Sequence, residues 1–296
     1  MNTPSTPEDF EAILAVMREA ARDAAQEARR GFRRAVNVEH KGVIDLVTEF
    51  DRASEDAIRK RLSGTLPFAI VGEEGGGEAD GATFYVDPID GTTNFVHGHP
   101  FWCISIGLVV GGEPRLGLVL APALGVEWSG WLAPTGERRA TRRAYESPFL
   151  SLEGQAPALL AEPCAVSATS SLDHAMLATG FPYDRRTSPE NNFDAFIAMK
   201  LRAQAVRRCG AAALDLCLVA DGTYDGYWEL KLKPWDIAAG MAIVRASGGV
   251  VTDLQGARAS HLESRIVATN GKIHEGLVAE LANVRAASRG PALASR

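Results

Sequence analysis

The chain has 296 residues, a net charge of −6 and 46% hydrophobic residues, enough apolar material for one large domain or two intimate subdomains. The acidic balance argues against a general nucleic-acid or membrane-surface binder, and an anionic substrate would need a local cation to offset the field. No apolar run is long enough to span a bilayer, and the acidic, polar start is unlike a signal peptide.

Thr6-Pro7-Glu8 reads as a helix start, with Pro7 at the first helical position. Phe10, Ile13, Leu14, Met17, Ala20, Ala21, Ala24 and Ala28 follow at spacings of three and four, predicting an amphipathic helix to about residue 34. Residues 36–47 show little periodicity, with Lys41-Gly42 before the apolar pair Val43-Ile44. Thr48 is expected to cap a second helix. Asp51 falls in its first turn, as a partner of the helix dipole or as a metal or water contact. Phe68–Val71 predicts a short strand ending in Gly72-Glu73-Glu74, where adjacent acids either form a solvated turn or meet a cation.

Phe84-Tyr85-Val86 predicts a strand that stops at Asp87-Pro88-Ile89-Asp90-Gly91. Pro88 holds Asp87 extended, and Gly91 frees the backbone to turn. Thr92 and Thr93 stand where a helix would begin. This turn could offer a divalent cation two carboxylates and the Ile89 carbonyl, and offer a phosphate its amides. Read locally, the same acids would only bond nearby amides.

Cys103–Val110 and Leu116–Ala121 predict a hairpin around Gly111-Gly112-Glu113-Pro114. Met176–Thr179 reads as a strand, Pro189 to about Ala203 as a helix with Phe193, Phe196, Ile197 and Met199 or Lys200 marking one side, and Ala211–Ala220 as a small-residue helix after Gly210. Tyr224–Leu230 is an aromatic strand carrying Glu229. Pro234-Trp235-Asp236 opens a helix to Ala246, with Asp236 either an N-cap or a ligand. Val250–Asp253 and Ile266–Thr269 are strands, Ile273–Leu281 a last helix, and Arg285–Arg296 a frayed tail. Alternating elements after a helical start suggest a layered α/β or α+β fold with strand ends feeding the site.

Four cysteines, Cys103, Cys164, Cys209 and Cys217, lie in apolar surroundings without C-x-x-C spacing, pointing to reduced, buried thiols and a cytoplasmic setting. Ser170 and Ser171 lack a base motif, and His97 and His99 suit rim packing better than metal ligation.

Gly72-Glu73-Glu74, Val86-Asp87-Pro88-Ile89-Asp90-Gly91-Thr92-Thr93-Asn94-Phe95 and Trp235-Asp236-Ile237-Ala238-Ala239-Gly240 together resemble the inositol monophosphatase family, over roughly residues 10–284. The resemblance implies an αβαβα sandwich and Mg²⁺-dependent hydrolysis of a phosphate monoester. It implies subdomains near residues 8–180 and 181–284, and usually a homodimer. Carried over by motif, Glu73, Asp87 and the Ile89 carbonyl would hold one Mg²⁺. Asp87, Asp90 and Asp236 would hold a second, and Glu73 with waters a weaker third. Gly91 and Thr92 amides would receive phosphate oxygens, Asp51 and Thr92 would orient or deprotonate water, and Ala212 and Glu229 would touch inositol hydroxyls. Lithium inhibition is a family trait.

Other readings are histidinol phosphate, a sugar bisphosphate or a nucleotide as substrate, with Arg207 and Arg208 favouring a second charge, or a regulatory binding protein retaining the fold. Residues 127–163 depart from the family pattern. Trp128, Trp131, Arg138, Arg139, Arg142 and Arg143 precede a Pro- and Ala-rich run. They are read as a divergent or misread segment, or as a surface insertion with a basic patch.

Overall fold

Helix α1 (Pro7–Gly31) begins at a reciprocal cap in which Asp9 N donates to Thr6 Oγ1 and Thr6 N donates to Asp9 Oδ2. Its apolar stripe, from Phe10 to Ala28, is buried. It runs beside α2 (Glu49–Ser63), and the pair covers the outer face of a seven-stranded sheet. The computed structural model describes residues 3–34, 38–40, 46–145 and 160–288. Lys41-Gly42-Val43-Ile44 and most of the Pro- and Ala-rich run lie outside them.

A two-stranded ribbon, β1 (Val38–His40) with β2 (Leu46–Thr48), leads into α2. The large sheet runs in chain order: β3 (Ala69–Gly72), β4 (Ala82–Asp90), β5 (Cys103–Val110), β6 (Glu113–Ala121), β7 (Val126–Leu132), β8 (Arg138–Ala144) and β9 (Leu160–Pro163). Only β3 and β4 pair in parallel. Short helix α3 (Thr92–Val96) follows β4. The second sheet has the order β11 (Ala205–Arg207), β10 (Met176–Thr179), β12 (Gly226–Leu230), β14 (Arg265–Thr269), β13 (Val250–Thr252).

Between the sheets lie α5 (Ala212–Ala220) and α6 (Pro234–Ala246), packed in one apolar cluster with Val119, Trp128, Tyr227 and Ile266. Beyond the second sheet lie α4 (Phe193–Arg202) and α7 (His274–Ser288), packed on Leu177, Trp228 and Val267. The layers are therefore helix, sheet, helix, sheet, helix, as expected for the αβαβα sandwich. A sheet covered on both faces needs strands apolar on both sides, and β4 to β6 are such near-continuous runs.

Several local expectations need correction. Strand β4 does not stop at Val86. It pairs with β5 through Asp87 and again at Asp90, with a register shift between them. Pro88 cannot donate to the ladder, and the irregularity absorbs it. Helix α4 starts at Phe193, not Pro189, because Asn192 takes a left-handed φ of 70° just before it. On the side marked by Phe193, Phe196, Ile197 and Met199, Met199 is buried, whereas Phe193 is 43% and Ile197 57% exposed. The arginine-rich stretch is no surface insertion: β7 and β8 form a seven-pair antiparallel register inside the large sheet. Trp128 Nε1 donates to Asp221 Oδ2 at 2.8 Å, and Arg142 stacks over the Trp128 ring. The chain passes from the large sheet to the second between Pro163 and Met176, and β10 pairs there in parallel with β11 and β12. Helix α7 continues through Arg285 to Ser288, so the first residues of the expected tail are helical.

Candidate active site

The end of β4 is where the two halves meet. Asp90 Oδ2 accepts from Ala213 N at 2.7 Å and its Oδ1 accepts from Ala212 N at 3.2 Å, so one carboxylate grips the first turn of α5. Asp87 Oδ1 accepts from Ile89 N at 3.0 Å, the local turn bond that its sequence setting allows. Asp236 Oδ2 accepts from Lys233 N at 2.7 Å and caps α6. Glu73 follows β3, and its amide donates to Val86 O at 3.1 Å, which sets it beside Asp87. Its turn is ordered by Glu55 on α2, which accepts from Glu74 N and Gly75 N, each at 2.8 Å, and pairs with Arg59. The local roles and a shared site are thus compatible: Asp87, Asp90 and Asp236 each accept from a backbone amide, and with Glu73 they border a common space.

That space is a cavity of about 280 Å³. Its wall includes Glu73, Asp87, Ile89, Asp90, Gly91, Thr92, Ala212, Glu229 and Asp236. All the proposed site residues except Asp51 therefore meet there. Asp51 stands behind Thr92, whose Oγ1 lies 3.1 Å from Asp51 Oδ1 and 3.1 Å from Ile89 O. Thr48 N and Oγ1 donate to the other oxygen of Asp51, at 2.8 and 2.6 Å. Gly91 turns the chain with a φ of 93°, a conformation glycine adopts without strain. Its φ and the close approach of Gly210 O leave no comfortable place for a side chain.

Burial sets the electrostatics. Asp87 is held well above the ordinary carboxylate range by burial, then by the charges of Glu73, Asp90 and Asp236. Asp236 is raised well above it by burial and Glu73, against the Lys233 amide. Burial pushes Asp90 up to about 7, opposed by the Ala213 amide, and Glu229 to about 7, opposed by the Tyr227 hydroxyl and Arg208. Asp51 rises to about 6, again by burial, against its bonds to Thr48. Without a cation the cavity favours protons on its acids; a divalent cation would favour their charged forms.

Among the described residues, no three Asp, Glu, His or Cys side chains close into a ligand set on their own. The donors instead form an open, all-oxygen wall of carboxylates joined by the Ile89 carbonyl, the chemistry that hard divalent cations take. The histidines play no part in it: His99 Nδ1 accepts from Phe101 N at 3.3 Å, and neither His97 nor His99 lines the cavity. The cysteines are free thiols, and burial pushes Cys103 and Cys217 well up, so neither is poised as a nucleophile.

Other wall residues were not singled out from the sequence: the loop Gly180–Tyr183, and Lys231, Lys233 and Trp235. Lys231 and Lys233 lie past the end of β12, and Lys231 takes a left-handed φ of 61°, so strand alternation from Glu229 does not mark them. Asp215 on α5 was also missed. It is 1% exposed, with Oδ1 unpaired among the described residues, and its pKa is raised by burial, then by Glu229 and Asp90. Nothing in its small-residue helix marks it. A more apolar cavity of about 490 Å³ lies beyond the second sheet, lined by Trp228, Leu230, Leu254 and Leu281, and holds no comparable set of acids.

The chain is similar to known proteins over most of its length. The chain is 38% identical over 282 residues to an inositol-1-monophosphatase of Synechocystis, covering 94% of this chain and 91% of that protein. It is 35% identical to the Nus factor SuhB of Pseudomonas aeruginosa, covering 90% of this chain and 94% of that one. The structure of inositol monophosphatase from Anabaena superposes with a TM-score of 0.74 at 33% identity, covering 93% of this chain and 97% of its own. With the inositol monophosphatase profile matching residues 9–286, the acid-lined junction between the two sheets sits in a chain that belongs to the inositol monophosphatase family.

Proposed function

We propose that the protein is a divalent-metal-dependent phosphomonoesterase that uses Mg²⁺ and acts on an inositol monophosphate or a related small polyol phosphate. The observation that carries this reading is the convergence of Glu73 from the turn after β3, Asp87 and Asp90 from β4, and Asp236 from α6 on one cavity wall. Glu73, Asp87 and the Ile89 carbonyl would hold one ion, and Asp87, Asp90 and Asp236 a second, with a weaker third on Glu73. Bound there, the ions would supply Lewis-acid polarisation of the phosphoryl group and lower the pKa of an attacking water.

The chain's own groups do the positioning. Thr92 Oγ1, fixed between Asp51 Oδ1 and Ile89 O, can hold a water proton and pass it toward Asp51, whose raised pKa suits a general base near neutral pH. Gly91 and Thr92 offer amides to phosphate oxygens. Glu229 Oε2 takes the Tyr227 hydroxyl, which leaves Oε1 for a polyol hydroxyl beside Ala212. The reading extends to a homodimer, a cytoplasmic setting and lithium inhibition, each supported by the family resemblance. Among the described residues no helix is long and apolar enough to cross a membrane.

A panel of phosphate monoesters, assayed with Mg²⁺ and with EDTA, tests the proposal. Hydrolysis that needs the metal is expected, with inositol monophosphates among the best substrates. Turnover that persists in EDTA would sink it. A second reading, a regulatory binding role, is favoured by the name of the Pseudomonas relative. It would leave the phenotype of a gene deletion complemented by a metal-ligand variant.

A further inference from the structure

Of the acids that line the cavity, only Glu73 lies outside a strand or helix. It sits in the turn Gly72–Gly77, in which four of the six residues are glycine. Such a turn has much backbone freedom to lose, and a ligand carried on it would have to be ordered each time a cation binds. The order comes instead from α2. Glu55 is 2% exposed. Its Oε2 accepts from Glu74 N and its Oε1 from Gly75 N, each at 2.8 Å, and Oε1 also accepts from Arg59 Nε at 2.7 Å.

Arg59 closes the other side of the turn. Its Nη1 donates to Ile70 O at 3.3 Å and its Nη2 to Gly76 O at 2.5 Å. One carboxylate and one guanidinium therefore grip the chain both before and after Glu73. Two of the glycines make room for them: a Cβ on Gly72 would fall 2.4 Å from Glu55 Cδ, and one on Gly75 2.7 Å from Glu55 Oε1. An ion pair taken out of water is a costly way to stabilise a turn, because desolvation offsets much of the attraction. What the pair supplies is a fixed place for Glu73. Asp51 lies four residues before Glu55, on the same face of α2, so one rigid helix sets both the Glu73 turn and the carboxylate behind Thr92.

We infer that Glu55 and Arg59 are positioning residues that hold Glu73 ready for a divalent cation, so that the ion on Glu73 binds without first ordering the turn. The inference rests on the metal-dependent reading and assigns a role to two side chains that do not line the cavity. Groups that orient a metal ligand act mainly on the affinity for the ion, and their loss typically costs about 10–100-fold. The effect is selective. Asp90 and Asp236 stand on β4 and α6, outside this turn, so an ion held there does not need the Glu55–Arg59 pair.

Mn²⁺ titration of the full-length protein, with free Mn²⁺ counted by electron paramagnetic resonance, tests this without turnover. The native protein should show more than one class of site. In Glu55→Gln an amide N–H faces a backbone N–H or the Arg59 guanidinium where an oxygen accepted before. One class should weaken about 10–100-fold and another stay within about twofold. Arg59→Met should act in the same direction. Glu73→Gln, which removes the ligand itself, should weaken the same class, and adding Glu55→Gln to it should cost nothing further, because Glu55 acts through Glu73. Ser54→Ala removes a buried contact of α2 with Ala24 O, away from the turn; it should lower the melting temperature and leave every class intact. In ester hydrolysis Glu55→Gln should raise the half-saturating Mg²⁺ concentration, with kcat at saturating Mg²⁺ within about threefold of native. Mn²⁺ binding unmoved in Glu55→Gln, equal weakening of all classes, or losses that add to those of Glu73→Gln would overturn the inference. Those results with metal-dependent hydrolysis intact sink only this inference. Absent hydrolysis with the selective Mn²⁺ effect preserved sinks only the catalytic reading.

Discussion

Thr92 Oγ1 sits 3.1 Å from Asp51 Oδ1, a contact made across forty-one positions of chain, and the same hydroxyl lies 3.1 Å from the Ile89 carbonyl. One hydroxyl proton cannot serve both acceptors at full strength. The hydroxyl can therefore turn between the two, and it couples the cap of α2 to the acid motif. Asp51 spends its other oxygen on Thr48, so the carboxylate is rigid as well as buried.

If this pair moves a water proton, Thr92→Val and Asp51→Asn should each lower kcat by about 10²–10⁴ with little change in KM. The double variant should be scarcely worse than either single one, since the two groups act as a unit. Asp51→Asn should keep the cap, because its amide oxygen can accept from Thr48 while its amide nitrogen donates to Thr92 Oγ1, so stability should change by less than about 1 kcal/mol. Additive losses in kcat would show that the residues work independently.

Asp90→Asn separates the two roles of that carboxylate. The amide oxygen can still accept from Ala213 N, so α5 stays docked, but a charged oxygen is lost from the cation site. Activity should fall by at least about 10²-fold. In EDTA at pH 8 the variant should melt higher than the native protein, because one buried, repelled charge is gone. A lower melting temperature would mean that Asp90 serves chiefly as a structural clamp.

Much of this was legible in the sequence, and the reasons differ by element. Helices α1, α2 and α6 announce themselves through caps and periodicity: Thr6-Pro7, Thr48 with Asp51, and Pro234 with Asp236. The acid set was legible because metal chemistry needs those residue types at strand and helix ends. The β7–β8 hairpin was not, since Arg138, Arg139, Arg142 and Arg143 look like a solvated patch until Asp221, Glu127 and Glu11 are seen across from them. Asp215 and Lys233 gain meaning only from neighbours distant in the chain. Spacing marks one side of α4 but does not say what covers it: Met199 is buried, while Phe193 and Ile197 stay exposed.

The pH dependence of stability should reverse when metal is added. Asp51, Asp90 and Glu229 have folded pKa values of about 6, 7 and 7, above ordinary values of 3.8, 3.8 and 4.5. A raised folded value means the folded state holds the proton more tightly. That contribution is complete below about pH 4 and lost as pH rises through 6 to 7. Glu113 and Glu190, lowered by Arg258 and Arg265, act oppositely but have finished titrating by about pH 5. His261 and His274, held neutral by burial, add stability as pH rises through their unfolded value of 6.5, and they do so with or without metal. The difference between melting curves in Mg²⁺ and in EDTA isolates the cavity acids. It should be small at pH 5 and grow steadily to pH 8. A difference independent of pH would mean that the metal does not displace protons from these acids.

Gly117→Ala should damage the site from a distance. Gly117 on β6 faces α6 so closely that an added Cβ would fall 2.2 Å from Ala239 O, a backbone atom that cannot swing aside. Gly107 on β5 meets the same helix at Ala239 N, 2.5 Å from its own added Cβ, so α6 is seated on two adjacent bare strands. The methyl must push the helix off the sheet, and overpacking of this kind costs about 1–3 kcal/mol. Helix α6 carries Asp236 at its first turn, so the displacement moves one acid of the cavity relative to Asp87 and Asp90, which stay with β4. The expected outcome is a melting temperature lowered by several degrees together with weaker activation by Mg²⁺, seen as a raised half-saturating concentration. Gly111→Ala, in the open turn between β5 and β6, meets no atom and serves as the comparison: its positive φ strains the turn, yet Mg²⁺ activation should be unchanged. If Gly117→Ala loses stability but keeps native Mg²⁺ activation, Asp236 does not contribute to metal binding.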